Sequence, residues 1–153
     1  MSRSCGEFSE PVLLSKLEYS WENNYLFVDE GPYPLFSGDK LYITFSRALV
    51  DYTYNVGYLS IDRNADLLNI TNWTKGNYPL LTSSSVPGHN AHVTQEGMVW
   101  SIYHARIGKE GPRYSGVRRV HFHQDGFPIL DMTENKDIQC SSRKLSFTLK
   151  VHA

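Results

Sequence analysis

Shifting the chain by 59 residues lays Gly38 on Gly97 and Gly57 on Gly116, and brings Glu30 onto His89. Around these anchors the order of signals repeats. The first unit runs from Glu30-Gly-Pro-Tyr-Pro-Leu-Phe through a turn at Ser37-Gly-Asp39 into Lys40 to Ser46, then a loop and Asn55 to Ile61. The second runs from His89-Asn-Ala-His-Val-Thr-Gln through a turn into Met98 to Ala105, then a loop and Val117 to His123. Within Lys40 to Ser46, Leu41, Ile43 and Phe45 fall on one side and Tyr42, Thr44 and Ser46 on the other, which is the period of a strand. A unit of three or four short antiparallel strands recurring at this length reads as a β-propeller blade, and such a unit buries both faces only by stacking on its neighbours. The expected fold is therefore all-β, a partial β-propeller of about two four-stranded blades plus a leading strand near Pro11 to Leu14. Pro34-Leu-Phe36, Pro79-Leu-Leu81 and Pro128-Ile-Leu130 read as shorter or edge strands, where proline is tolerated. Asn64 to Asn72, with Ala65, Leu67, Leu68 and Ile70, reads as one short helical excursion. The blades are expected over 30–86 and 87–131, with polar tails at 1–10 and 132–153. Weak alternation from Lys144 to Val151 marks one added strand.

Composition narrows the partners. Fifteen Lys and Arg against sixteen Asp and Glu give a net charge of -1, without the basic excess of a protein that grips phosphate backbones, so no nucleic acid is expected. No eighteen apolar residues run together and the first eight residues lack the apolar core of a secretory signal, so neither a membrane span nor a signal peptide is expected. Cys5 and Cys140 form no CxxC and read as incidental thiols. The 153 residues include ten Tyr, seven Phe and three Trp, a supply of rings suited to strands.

Few motifs carry chemistry. Asp62-Arg-Asn-Ala-Asp66 spaces its oxygens like a calcium loop, but Leu67 stands where that loop needs glycine and Trp73 where it needs a bidentate glutamate. His121 and His123 share a strand face without a third ligand at metal spacing. HExxH, GxSxG, Walker and GxGxxG motifs are absent. Asn69-Ile-Thr71 and Asn72-Trp-Thr74 are glycosylation sequons by pattern. What remains is Asp29-Glu-Gly-Pro32, a carboxylate before a Gly-Pro bend at the start of a strand, and its repeat partner Gly88-His-Asn90. The innermost strand of each blade begins beside the central channel of a propeller, so Glu30 and His89 are expected to face one cavity from neighbouring blades.

The run Pro11-Val-Leu-Leu-Ser-Lys, Tyr19-Ser-Trp-Glu22, Glu30-Gly-Pro, Asp66-Leu-Leu, Trp73-Thr-Lys, Pro87-Gly-His-Asn90, Tyr103-His-Ala-Arg106 and Asp125-Gly-Phe-Pro128 resembles the C-terminal half of glycoside hydrolase family 43. The likeness covers residues 11–131 and is strongest to arabinofuranosidase-like members that act on arabinose- or xylose-containing polysaccharides. It implies a five-bladed propeller of inverting glycosidases, in which an acid protonates the leaving oxygen and a carboxylate roughly 6.5 to 9.5 Å away activates water. By that resemblance Glu30 is the general acid and His89 lies at the ring centre, touching substrate or a bound cation. No cofactor is required, and calcium is the cation the resemblance allows. Related sequences tend to carry an arginine where this chain has Gly116, and Arg113, Arg118 or Arg119 is expected to compensate. Trp21, Tyr33 and Trp100 are candidate sugar platforms. The substrate-binding set is then His89, Arg113 and Trp21. The family's two catalytic aspartates lie in earlier blades, and Asp29, Asp39 and Asp51 do not sit at equivalent inner-strand starts. The resemblance thus implies a glycosidase that is incomplete as a catalyst within this chain. The alternative is a non-catalytic carbohydrate-binding or structural half-propeller. An oligo- or polysaccharide is the expected ligand, and open blade faces imply self-association or a companion chain carrying the missing blades. Localisation stays unassigned, because such enzymes are usually secreted and no signal is visible.

Overall fold

The alternating segments pair as antiparallel strands, since each offers an apolar face every second residue and leads into a turn tight enough to reverse the chain. The computed structural model describes residues 10–23, 28–47, 53–82, 87–106 and 111–131. In it, β1 (Asp29–Ser37), β2 (Lys40–Arg47), β3 (Asn55–Asp62) and β4 (Thr74–Lys75) form one four-stranded sheet in chain order. A second sheet repeats that order with β5 (Gly88–Gln95), β6 (Met98–Arg106), β7 (Arg113–Phe122) and β8 (Pro128–Ile129). Among the described residues the only helical turns are two three-residue 3-10 segments, Ser20–Glu22 and Ile70–Asn72. The fold is all-β, as the patterning predicts.

Some local expectations need correction. The helical excursion at Asn64 to Asn72 is a series of turns, with 3-10 geometry only over its last three residues. Its polar side chains take the backbone donors a helix would need: Asp62 accepts from Asn64 N–H, Asp66 from Leu68 N–H and Asn69 from Thr71 N–H, at 3.0 to 3.1 Å. Successive turns of this kind compete with a helix. Pro11 to Leu14 is not a strand. Farther along, Lys16 to Glu22 lie on the first sheet and are held by side chains. Lys75 Nζ donates to Lys16 O at 2.6 Å and pairs with Glu22 Oε1 at 2.6 Å, while Trp21 Nε1 donates to Asn77 O at 2.8 Å. Pro34 to Phe36 is part of β1, Leu81 makes a single bridge to Val56, and β7 begins at Arg113 rather than Val117. Of the expected tails at 1–10 and 132–153, all but Glu10 lie outside the described residues, with Cys5, Cys140 and the strand at Lys144 to Val151, as does Asp51.

The repeat is real but one residue out of step with the glycine alignment. Glu30 pairs with Ser46 and Tyr33 with Thr44, so Gly31 and Pro32 together oppose Phe45 in a β-bulge. Gly88 pairs with His104 and Ala91 with Ile102, so His89 and Asn90 together oppose Tyr103. The bulges therefore correspond at a shift of 58: Glu30 matches Gly88, and His89 matches Gly31. Both bulge residues are left-handed, with φ of 58° at Gly31 and 49° at His89. In the third strands the glycines do correspond. Gly57 lies opposite Phe45 and Gly116 opposite Tyr103, and a Cβ on either would come within 2.8 Å of the facing ring. Each sheet thus lays an aromatic ring across a bare stretch of backbone.

The main core forms between the sheets from Leu35, Tyr42, Val56, Leu81, Val120 and Leu130, with Tyr58, Leu80 and Val99 at its margin. Phe127, from the turn before β8, sets its ring edge-on to Tyr42 and Tyr58. On its other face the first sheet is sealed by Trp21, which packs with Phe45 over Gly57. The packing leaves the starts of β1 and β5 side by side.

Candidate active site

Glu30 and His89 meet at that junction, although not by the equivalence the sequence suggests. Left-handed backbone at His89 turns its ring over Gly31, where an added Cβ would lie 3.2 Å from the imidazole. His89 Nδ1 stands 3.9 Å from Glu30 Oε1. The two side chains keep 58% and 38% of their surface, so the pair is open to a ligand. The His89 backbone N–H is anchored by Ser46 Oγ on β2.

Two residues that sequence reasoning passed over complete the group. Tyr54, just before β3, donates its hydroxyl proton to Glu30 Oε1 and accepts from Ser46. Its ring is 1% exposed and lies parallel to the His104 imidazole, with centroids 5.5 Å apart and planes 4° apart. Burial, with the Glu30 carboxylate next in effect, pushes the Tyr54 phenol well above its ordinary range, so it stays a donor. Burial lowers the His104 pKa, and the charges of Arg113 and His89 lower it further. The His104 and His89 rings lie 6.0 Å apart. Arg113, exposed at the start of β7, thus acts on both Tyr54 and His104. The one sequence signal for Tyr54 is Gly88, whose Cβ would lie 1.9 Å from the tyrosine ring.

Trp21 is not brought to this group. Its indole stacks on Tyr19, donates to Asn77 and packs over Gly57, on the face of the first sheet opposite Ser46, so packing uses the ring. Tyr33 is 39% exposed and sets its ring edge-on to His92. His92 lies deeper between the sheets, where Asn90 Nδ2 donates to its Nε2 at 3.1 Å and Thr44 Oγ1 lies 3.0 Å from the same atom. Burial pushes its pKa down to about 4. Asp29 turns away from Glu30 to Arg47, at 3.1 Å; burial raises its pKa against the pull of that guanidinium.

Among the described residues no group of three or more His, Cys, Asp or Glu is placed to hold a metal ion. Calcium takes six to eight oxygen ligands, and the donors around His89 are an imidazole and the Glu30 carboxylate. They do not fit calcium without further ligands.

Residues 2–128 match the model of the glycosyl hydrolases family 43. The chain belongs to that family. It is 32% identical to the extracellular exo-alpha-(1->5)-L-arabinofuranosidase of Streptomyces avermitilis, over 77% of this chain and 28% of that protein. It is 29% identical to alpha-L-arabinofuranosidase B of Pyricularia oryzae, over 76% of this chain and 27% of that protein. The alpha-L-arabinofuranosidase from Lactobacillus brevis superposes with a TM-score of 0.74 at 31% identity, covering 79% of this chain and 42% of that structure. The two sheets are accordingly blades of a partial family 43 propeller. The chain spans under a third of the length of these curated relatives.

Proposed function

We propose that this chain is the acid-bearing part of a family 43 glycoside hydrolase, with Glu30 the general acid that protonates the leaving oxygen of an arabinose- or xylose-containing oligo- or polysaccharide. The observation that carries the reading is the Glu30–His89 pair, open to solvent at the junction of two inner strands and backed by Tyr54, Ser46 and His104. His89 stands beside the carboxyl and, with Arg113 near Tyr54 and His104, supplies donors for sugar hydroxyls. The reaction inverts configuration and needs no cofactor: Glu30 gives its proton to the departing oxygen while a carboxylate across the site activates water. Asp29 is committed to Arg47 and is not free to serve as that second carboxylate.

A companion face supports the same reading. Leu35 is 2% and Thr44 0% exposed where the second sheet covers the first. Their counterparts on the second sheet, Val93 and Ile102, are 46% and 44% exposed, and neighbouring Val117 is 65% exposed. That face takes a further blade from a companion segment or chain, the arrangement that supplies the base.

The test is hydrolysis of aryl arabinofuranoside and aryl xyloside by the chain and by Glu30→Gln. A general acid contributes roughly 10² to 10⁴-fold, so a loss of that size supports the reading. Where the chain turns over substrate, equal rates in both proteins contradict it. Saturable oligosaccharide binding without turnover assigns this chain to the second reading, a non-catalytic carbohydrate-binding half-propeller.

A further inference from the structure

We propose that Tyr54 is a positioning residue for Glu30, presenting Oε2 as the oxygen that carries the proton; this rests on the reading of Glu30 as the acid. The hydrogen bonds run in one direction. The His89 N–H donates to Ser46 Oγ, the Ser46 hydroxyl donates to Tyr54, and the Tyr54 hydroxyl donates to Glu30 Oε1. In a carboxylic acid the carbonyl oxygen accepts a hydrogen bond far better than the hydroxyl oxygen does, so with the phenol proton given to Oε1 the acid form of Glu30 carries its own proton on Oε2. The chain starts on β5 and ends on β1, so the orientation of the acid depends on how the two blades sit against each other.

Tyr54 is built to hold that position. It precedes β3 on the first sheet, yet its ring occupies the space a side chain at position 88 would fill, and it stacks on His104 of the second sheet. Rings held on one side by backbone and on the other by a parallel imidazole have little freedom to turn, so the hydroxyl stays aimed at one carboxylate oxygen. Among the described residues, the side chains set against the Glu30 carboxyl are Tyr54 on Oε1 and His89, whose Nδ1 lies 3.9 Å from the same oxygen.

The experiment is proton NMR of the full chain, wild type against Tyr54→Phe, Glu30→Gln and Ser46→Ala, observing the Tyr54 hydroxyl proton through its contacts to the His104 ring. The account expects a slowly exchanging downfield hydroxyl signal in the wild type. It expects that signal to vanish in Tyr54→Phe and to move in Glu30→Gln and in Ser46→Ala, while Tyr54→Phe keeps the wild-type fold. A wild type without the signal, or a signal that does not move in Glu30→Gln, overturns the proposal whatever the enzyme activity. Where hydrolysis is measured, Tyr54→Phe lowers kcat about tenfold or more with KM little changed. An unchanged kcat in a hydrolytically active protein also overturns it. A chain that shows the hydroxyl signal but neither hydrolyses nor binds sugar removes the glycosidase reading and leaves the Tyr54–Glu30 geometry standing.

Discussion

His89 holds a left-handed backbone that costs an L-residue roughly 1 to 2 kcal/mol, at a bulge where the other sheet uses Gly31. In the proposed function that strain is kept at an open position beside a carboxylate for contact with the sugar. His89→Gly is therefore expected to stabilise the fold by about 0.5 to 1 kcal/mol in urea unfolding, while weakening arabino-oligosaccharide binding at least tenfold. A destabilised variant with unchanged binding would count against that role. His92 sets a pH dependence of the opposite kind, purely structural. Its folded pKa of about 4 lies below the ordinary 6.5, so between those values the unfolded chain binds a proton that the folded chain refuses. Stability is full above pH 6.5 and falls as pH drops toward 4, by up to about 1.4 kcal/mol per pH unit, with His104 adding in the same direction. Denaturation series at pH 7 and pH 5 measure the drop, and His92→Asn should flatten it. That Glu30 and His89 meet at one junction was legible from the strand-start motif. Tyr54 and His104 were not, because a ring that crosses from one sheet to stack on another obeys no sequence period. Trp21 was misread because an aromatic that seals a glycine looks in sequence like one that awaits a sugar.

At the scale of the elements, the strands were readable because period-two alternation and turn glycines agree, whereas the turns of Asn64 to Asn72 depended on side-chain bonds that alternation does not encode. The 59-residue shift found the right strands and the wrong partner for Glu30, since the two hairpins place their glycine at different turn positions, Gly38 before Asp39 and Gly97 after Glu96. The segment over the first sheet depends on one buried ion pair. Glu22 is fully buried, accepts the Glu18 and Tyr19 N–H groups at 2.8 and 2.9 Å, and pairs with Lys75; although burial opposes its ionisation, these bonds hold its carboxyl below the usual range. Lys75→Met strands that carboxylate and should cost about 3 to 5 kcal/mol in chemical denaturation. Pairing it with Glu22→Gln should restore much of the loss. Equal losses in the single and double variants would show that the pair does not fix the segment.

For the whole molecule, the faces of the two blades are unequal: the outer face of the first is sealed by Trp21 and its segment, and the far face of the second is open at Val93, Ile102 and Val117. Association is expected through that open face. Light scattering at rising concentration should show it, and Ile102→Asp with Val117→Asp should abolish it without unfolding the chain; a wild type that stays monomeric at high concentration contradicts it. The claim on which the rest depends is that the junction of β1 and β5 is a sugar site. Titrating the isotope-labelled chain with an arabinose trisaccharide, and following every side-chain and amide signal by NMR, tests it directly. Saturable shifts centred on Glu30, His89, Tyr54 and Arg113, with Trp21 unmoved, are the predicted result. Saturable shifts elsewhere, or none at millimolar sugar, would contradict it.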